Sequence, residues 1–181
     1  LDITTSSVKL IELSQSGKRY RVESYSAEPT PPSSVSEKAI VDAKAVGEAI
    51  RRAVKRAGAK ATDVAVAISG DAAITKVIQM ASNLSERDLE GQVEIQADQY
   101  IPYPLEEVSI DFEVQGASPE QVGQVEVLLA ACRRETIEAR VEAIEGAELV
   151  PKIMDVEAYA TPLGKVPLDR TAIARLRQNP L

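Results

Sequence analysis

LDITTSSVKLIEL, Leu1–Leu13, holds a pattern whose reading bears on the whole fold. An acid, Asp2, precedes four hydroxyl residues, Thr4, Thr5, Ser6 and Ser7. A single lysine, Lys9, follows, and Val8, Leu10, Ile11 and Leu13 continue as a strand. A carboxylate, a hydroxyl-rich turn and one cation make half of a site for a magnesium-chelated polyphosphate. The acid would hold the metal through water, the N–H and O–H groups of the turn would face phosphate oxygens, and the lysine would act as a point charge. Taken alone, the stretch equally fits a polar turn in a surface hairpin.

Working outward, the next run, Lys18–Tyr25, alternates Tyr20, Val22 and Ser24 with charged or polar neighbours. Ser16-Gly17 between the two runs marks a hairpin turn. Glu28–Ser36 (EPTPPSSVS) reads as a Pro/Ser linker without regular structure. An amphipathic helix is expected from about Asp42 to Ala57, with Val46, Ala49, Ile50, Ala53 and Val54 at helical spacing and Gly58 as its stop. Its run of Lys44, Arg51, Arg52, Lys55 and Arg56 reads as a solvated face. Val64–Ile68 (VAVAI) has the composition of a strand buried on both sides. Ser69-Gly70-Asp71 is a turn, and Ile74–Met80 another strand.

Ser85 is placed as a helix N-cap, with Asp88 at the capping-box position and Leu84 and Leu89 as a hydrophobic staple. That helix is expected to run to about Tyr100, with Leu89, Val93, Ala97 and Tyr100 inward, until Pro102 and Pro104 end it. Val108, Ile110, Phe112 and Val114 alternate with polar residues as a half-buried strand. Gly116–Gly123 follows as a loop, Val125–Ala131 as a strand, Arg134–Glu145 as a helix closed by Gly146, and Leu149–Val156 as a strand. The tail, residues 161–181, is Pro-rich and basic, with one short helix hinted by Ala172, Ile173 and Leu176. Strands alternating with helices indicate an α/β architecture.

Composition narrows the chemistry. Only 3% of the 181 residues are aromatic against 44% hydrophobic, so the core must be aliphatic. The net charge of −7 argues against a nucleic-acid surface, which needs a basic face. With no histidine, Ser-His-Asp and Cys-His catalysis and histidine metal sites are ruled out. The one cysteine, Cys132, lies in the apolar run VLLAACRR and reads as a small buried hydrophobe; no internal disulfide is possible, and a reducing cytoplasm fits. No apolar run approaches the roughly 20 residues of a membrane span. The chain opens directly on a strand, so residues upstream of Leu1 are expected.

LDITTSSVKLIEL followed by YRVESY, then ADQYIPYPLEEVSIDFEVQG, VEVLLAACRRE and MDVEAYA, resembles the PilM family over about residues 1–160. These are cytoplasmic actin-like proteins of bacterial type IV pilus assembly. The resemblance implies the actin/Hsp70-like ATPase-domain fold, present in part, with an inserted α/β subdomain similar to that of FtsA. The implied division is a main subdomain at residues 1–83, the insert at 84–152, a return to the main subdomain at 153–160, and the tail at 161–181. It also implies a first phosphate loop binding ATP and Mg²⁺. Asp2 becomes the magnesium-associated acid, Thr4, Thr5, Ser6 and Ser7 the turn around the phosphates, and Lys9 the phosphate-facing cation. Thr4 stands where the wider superfamily often has glycine. Glu157 falls near the position that orients the attacking water in actin-like ATPases; as a residue following a strand it equally fits a helix start.

The same resemblance implies a partner, the short N-terminal cytoplasmic tail of the inner-membrane protein PilN, held between the main and inserted subdomains. That tail is extended, partly apolar and basic. Tyr100, Tyr103, Glu106, Glu107, Asp111 and Glu113 are the expected acceptor, by strand addition with charge matching. Glu106 and Glu107 also fit solvated turn acids. Further pilus proteins and motors are implied partners, and the expected location is the inner face of the inner membrane. Complete family members are about twice as long and carry a second phosphate loop and a glycine-rich adenosine motif, both absent here. After MDVEAYA the chain passes to TPLGKVPLDR, which resembles a piece near the family's C-terminus, so a discontinuity is expected there. The expected role is therefore a nucleotide-binding adaptor and not a turnover enzyme. The alternatives are an ATP-hydrolysing enzyme of the same fold and a ligand-free α/β interaction domain.

Overall fold

A computed structural model describes residues 1–17, 19–37 and 39–157. The first part of the chain forms β1 (Asp2–Ile3), β2 (Ser7–Ser16), β3 (Arg19–Pro29), β4 (Val35–Ser36), β5 (Ala39–Ile40), α1 (Ala43–Ala57) and β6 (Asp63–Ile68). Then come β7 (Ala73–Ala81), α2 (Glu86–Ala97), β8 (Val108–Ala117), β9 (Gln124–Arg133), α3 (Arg134–Gly146) and β10 (Val150–Val156). Two compact units result. One comprises Leu1–Ala67 and Glu135–Met154; the other takes Ile68–Arg134 and, among the described residues, 155–157.

In the first unit β1, β2 and β3 form an antiparallel sheet in that order. Ser26 of β3 donates its hydroxyl to the Ala53 carbonyl at 2.7 Å, fastening the sheet to α1. Val8 and Leu10 of β2 and Val46, Ala49, Ile50 and Ala53 of α1 are buried. Asp42 caps α1 by accepting from the Ala45 N–H at 2.9 Å, and Gly58 ends it at φ +64. The basic run on α1 is more than a solvated face. Arg56 binds Glu28 at 2.9 Å, and Arg51 holds Glu48 and the Gly146 carbonyl. At Gly47 there is no room for a side chain, because a Cβ would lie 2.9 Å from the Ala143 carbonyl oxygen of α3. β10 pairs with β6.

Several sequence expectations are corrected in this unit. The segment 28–36 is partly ordered into strands: β3 continues to Pro29, and Val35–Ser36 pairs with Ala39–Ile40. Pro29 is tolerated because it ends an edge strand. VAVAI is not buried on both sides; Val66 and Ile68 face the core and Ala65 is exposed. Its all-apolar composition hides an ordinary alternation, because alanine fits a wet face. Helix α3 is closed by Glu148 at φ +64, two residues beyond Gly146, with the Leu149 N–H returning to the Ile144 carbonyl.

The second unit is an antiparallel sheet in the order β7-β9-β8 with α2 on one face. Its core joins Ile78, Met80, Leu89, Val93, Ala97, Val127, Leu129 and Ala131. Ser85 caps α2 by accepting from the Asp88 N–H at 3.3 Å. The helix stops at Ala97, short of Tyr100, which is exposed and not inward. The loop expected from Gly116 begins later, since Gly116 and Ala117 still belong to β8. The boundary expected between residues 83 and 84 falls between 67 and 68. β7 hydrogen-bonds along its length to β9 and so belongs with the second unit, while the backbone-close crossing of α3 on α1 keeps α3 in the first. Residues 161–181 lie outside the described residues.

Candidate functional site

The hydroxyl turn is built by the register of the first hairpin. Asp2 pairs with Lys9 and Ile3 with Val8, leaving Thr4–Ser6 as the connection. Thr4 organises it. Its hydroxyl donates to the Ser7 carbonyl at 2.9 Å and accepts from the Ser7 N–H at 3.1 Å, and its own N–H donates to the Ser7 carbonyl at 3.0 Å. Threonine suits this position because its hydroxyl closes the turn. Thr30 buttresses the turn from β3's end: its hydroxyl donates to the Thr4 carbonyl at 2.8 Å and its N–H to the Ser6 carbonyl at 3.2 Å. Sequence reasoning missed Thr30 because it lay in the supposed linker.

The turn's internal bonds leave particular groups over. Thr5 and Ser6 are exposed, and no described hydrogen bond uses either N–H. Consecutive backbone N–H groups at such a turn make a concave site of positive potential suited to an anion. Ser7, by contrast, spends its N–H inside the turn. Lys9 and Asp2 form an ion pair at 3.1 Å, both about half exposed, so the cation and the acid expected to face phosphate and metal now face each other. No group of three or more acidic, histidine or cysteine residues able to hold a metal occurs among the described residues. A lone carboxylate fits magnesium carried on a polyphosphate, which keeps most of its water, and not a metal caged by protein alone. Glu157 is exposed and follows directly on β10.

The second candidate surface surrounds β8, an edge strand of its sheet. Tyr100 and Tyr103 are exposed, but neither ring stands alone. Lys76 Nζ lies 5.3 Å from the Tyr100 centroid and the Arg133 guanidinium 5.2 Å from that of Tyr103, both in cation–π range. Sequence reasoning missed these two cations. The available signal was their parity, since Lys76 lies in phase with Ile74 and Ile78, and Arg133 with Leu129 and Ala131. Glu106 and Glu107 are exposed in the 3-10 turn Leu105–Glu107 that leads into β8.

Asp111 and Glu113 are half-buried and alternate with the core-side Ile110 and Phe112, so they occupy the opposite face of β8. There they lie in register with Ala130 and Leu128. The six expected partner residues therefore fall into two groups and not one groove wall. Asp111 accepts from the Phe112 N–H at 2.9 Å. Asp155 belongs to the same acidic neighbourhood and was not anticipated. Burial raises its pKa, the Val156 N–H at 2.7 Å works against that, and the charge on Glu113 raises it further.

The profile of the family described as "Type IV pilus assembly protein PilM" matches residues 1–169. A chain of a solved "PilM-PilN type IV pilus biogenesis complex" is 32% identical, with a TM-score of 0.78 over 88% of this chain and 47% of that one. The cytoplasmic domain of EpsL, an inner membrane component of the type II secretion system of Vibrio cholerae, is 15% identical. Its TM-score is 0.56 over 90% of this chain and 57% of that one, a likeness of fold alone. Both neighbours are actin-like, and so is the mixed α/β fold here. The chain spans about half the length of the solved chains it matches.

Proposed function

The chain belongs to the type IV pilus assembly protein PilM family, and on that premise we propose that it acts as an adaptor of the pilus assembly machine, receiving the cytoplasmic tail of PilN. The observation carrying this reading is the outer edge of β8. An edge strand offers main-chain N–H and C=O groups to an extended peptide. Asp111 and Glu113 flank that edge with negative charge suited to a basic tail, and Glu106 and Glu107 add more at its start. The tyrosines, each held by a cation, supply apolar surface beside it. Further pilus components and motors would meet other faces. No helix among the described residues is long and apolar enough to cross a membrane, consistent with attachment to the inner face of the inner membrane through partners.

The experiment is fluorescence anisotropy with a labelled peptide of the PilN tail. Asp111→Lys with Glu113→Lys is expected to weaken binding by roughly tenfold or more. Reversal of Glu106 and Glu107 together should weaken it less. Undiminished affinity in the Asp111/Glu113 variant removes β8 as the acceptor.

A second reading, ATP binding with Mg²⁺, is favoured by the two unspent N–H groups at Thr5 and Ser6. Those groups and the nearby hydroxyls would receive phosphate oxygens. Lys9 would turn from Asp2 to the phosphates, and Asp2 would hold the ion through water. The ion's role there is to neutralise phosphate charge. Titration calorimetry of magnesium-ATP against the chain and its Lys9→Ala variant checks this; equal heats from both would dismiss Lys9 as the phosphate cation. A turnover enzyme is the less supported alternative, since no histidine is present and Asp2, the carboxylate beside the loop, is paired with Lys9. Steady phosphate release abolished by Asp2→Ala would overturn the adaptor reading.

A further inference from the structure

The free edge of β8 has a definite pattern of backbone groups, and one of them is already taken. Two bonds at the end of the sheet fix which residues of β9 face which neighbour. The Gly123 carbonyl accepts from the Ser82 N–H at 2.9 Å, toward β7, and the Gln124 carbonyl accepts from the Ser118 N–H at 2.8 Å, toward β8. Hydrogen-bonding direction alternates along an antiparallel strand, so Leu128 and Ala130 also bond toward β8. The register sets Ala130 opposite Asp111 and Leu128 opposite Glu113. The N–H and C=O groups of Ile110 and Phe112, which lie between the bonded pairs, therefore point away from β9 and over the open edge. Asp111 agrees with this direction, since its carboxylate accepts from the Phe112 N–H at 2.9 Å and not a carbonyl of β9. An edge N–H left open is a template for any extended chain. On β8 the Phe112 N–H is covered by the side chain next to it.

We propose that Asp111 is a latch on this edge: its carboxylate covers the Phe112 N–H until an extended segment bearing a cation displaces it. The inference rests on the strand-addition reading of β8 and adds what selects the segment. An incoming strand offers a carbonyl to the Phe112 N–H, and the carboxylate must then leave. Once released it needs a donor in place of that N–H, because a carboxylate stripped of a hydrogen bond is costly beside a strand that excludes water. A lysine or arginine of the incoming segment supplies the donor; a neutral or acidic segment does not. Asp111 stands on the face of β8 opposite the core-side Ile110 and Phe112, and side chains of paired strands meet on a common face, so the cation is required there. Glu113, on the same face, accepts instead from the Gln115 side-chain amide at 3.4 Å, so it adds charge without covering the edge. The latch thus keeps chance strands off β8 and admits a basic one.

Anisotropy with two labelled peptides tests this: the PilN tail, and the same tail with its lysines and arginines replaced by glutamine. The parent chain should prefer the basic tail by about tenfold. Asp111→Ala should bind the neutral tail about threefold or more tighter than the parent does, because nothing has to be displaced, and its preference for the basic tail should shrink. Glu113→Ala should weaken the basic tail and leave the neutral one within about twofold. A neutral tail bound no tighter by Asp111→Ala than by the parent overturns the latch and leaves plain charge attraction. Amide exchange of the chain without peptide reads the cover directly. Asp111→Ala should speed the Phe112 amide by about threefold or more and leave Ile110 within about twofold. An unchanged Phe112 rate beside intact binding of the basic tail overturns the latch alone. If neither tail binds any of the three proteins, the strand-addition reading falls and the latch with it.

Discussion

Single residues show how the polar groups of this chain are held. Glu12 accepts the Lys60 and Ala61 N–H groups, each at 2.9 Å, and the Ser24 hydroxyl, and these bonds lower its pKa. A carboxylate with a depressed folded pKa contributes stability that is present above its ordinary range and lost as pH falls through the depressed value. Glu12→Gln should therefore lower the melting temperature at neutral pH, with the gap to the parent closing on acidification. Asp155 has the opposite sign. Burial raises its pKa, so the folded state binds a proton that the unfolded state has released, and stability falls as pH rises through that interval. Asp155→Asn should melt higher than the parent at neutral pH, and the advantage should disappear below about pH 3.9. An advantage that persists in acid would exclude the carboxyl charge as its cause. Thr30 teaches a related lesson. A hydroxyl in a Pro/Ser stretch looked like linker, yet it anchors the turn beside the candidate phosphate site.

At the scale of elements, the helices make opposite demands on their glycines. Gly47 in α1 lies against the α3 backbone, with a Cβ position only 2.9 Å from the Ala143 carbonyl oxygen. A carbonyl oxygen in a helix cannot swing aside, so Gly47→Ala should destabilise by about 1–3 kcal/mol as the helices separate. Gly91 in α2 has nothing within 4 Å of its Cβ position, so Gly91→Ala should stabilise by about 0.5–1 kcal/mol through helix propensity. Urea denaturation of both variants checks the pair, and equal signs would refute the packing argument. Most elements were legible in the chain because their signals are local. Asp42 and Gly58 bracket α1, Ser85 opens α2, and the alternation of Val108–Val114 marks β8. Misreadings occurred where identity and environment part. VAVAI hides a wet face behind alanine, and Tyr100 continues an apolar helical spacing after the helix has ended.

For the whole molecule, the division into two units is what sequence order obscures. β7 precedes the helix that seemed to open the insert, yet it pairs with β9, some fifty residues later. The candidate nucleotide turn lies in the first unit and the candidate peptide edge in the second. Hydrogen exchange should therefore report them separately. Magnesium-ATP should slow the Thr5 and Ser6 amides, and the PilN tail peptide should slow those on the outer edge of β8. Protection of the same amides by both ligands would show that the two sites have been wrongly separated. The sequence by itself determined the family, the α/β alternation, the hydroxyl turn and the capped helices, because each rests on neighbours within a few residues or on strings long enough to be distinctive. Only the tertiary structure decided that Lys9 pairs with Asp2, that Thr5 and Ser6 retain unspent N–H groups, and that Asp111 and Glu113 lie on the face of β8 opposite Ile110 and Phe112. It also decided that the Phe112 N–H lies under the Asp111 carboxylate. These depend on register, and strand register is set by contacts that no local pattern encodes.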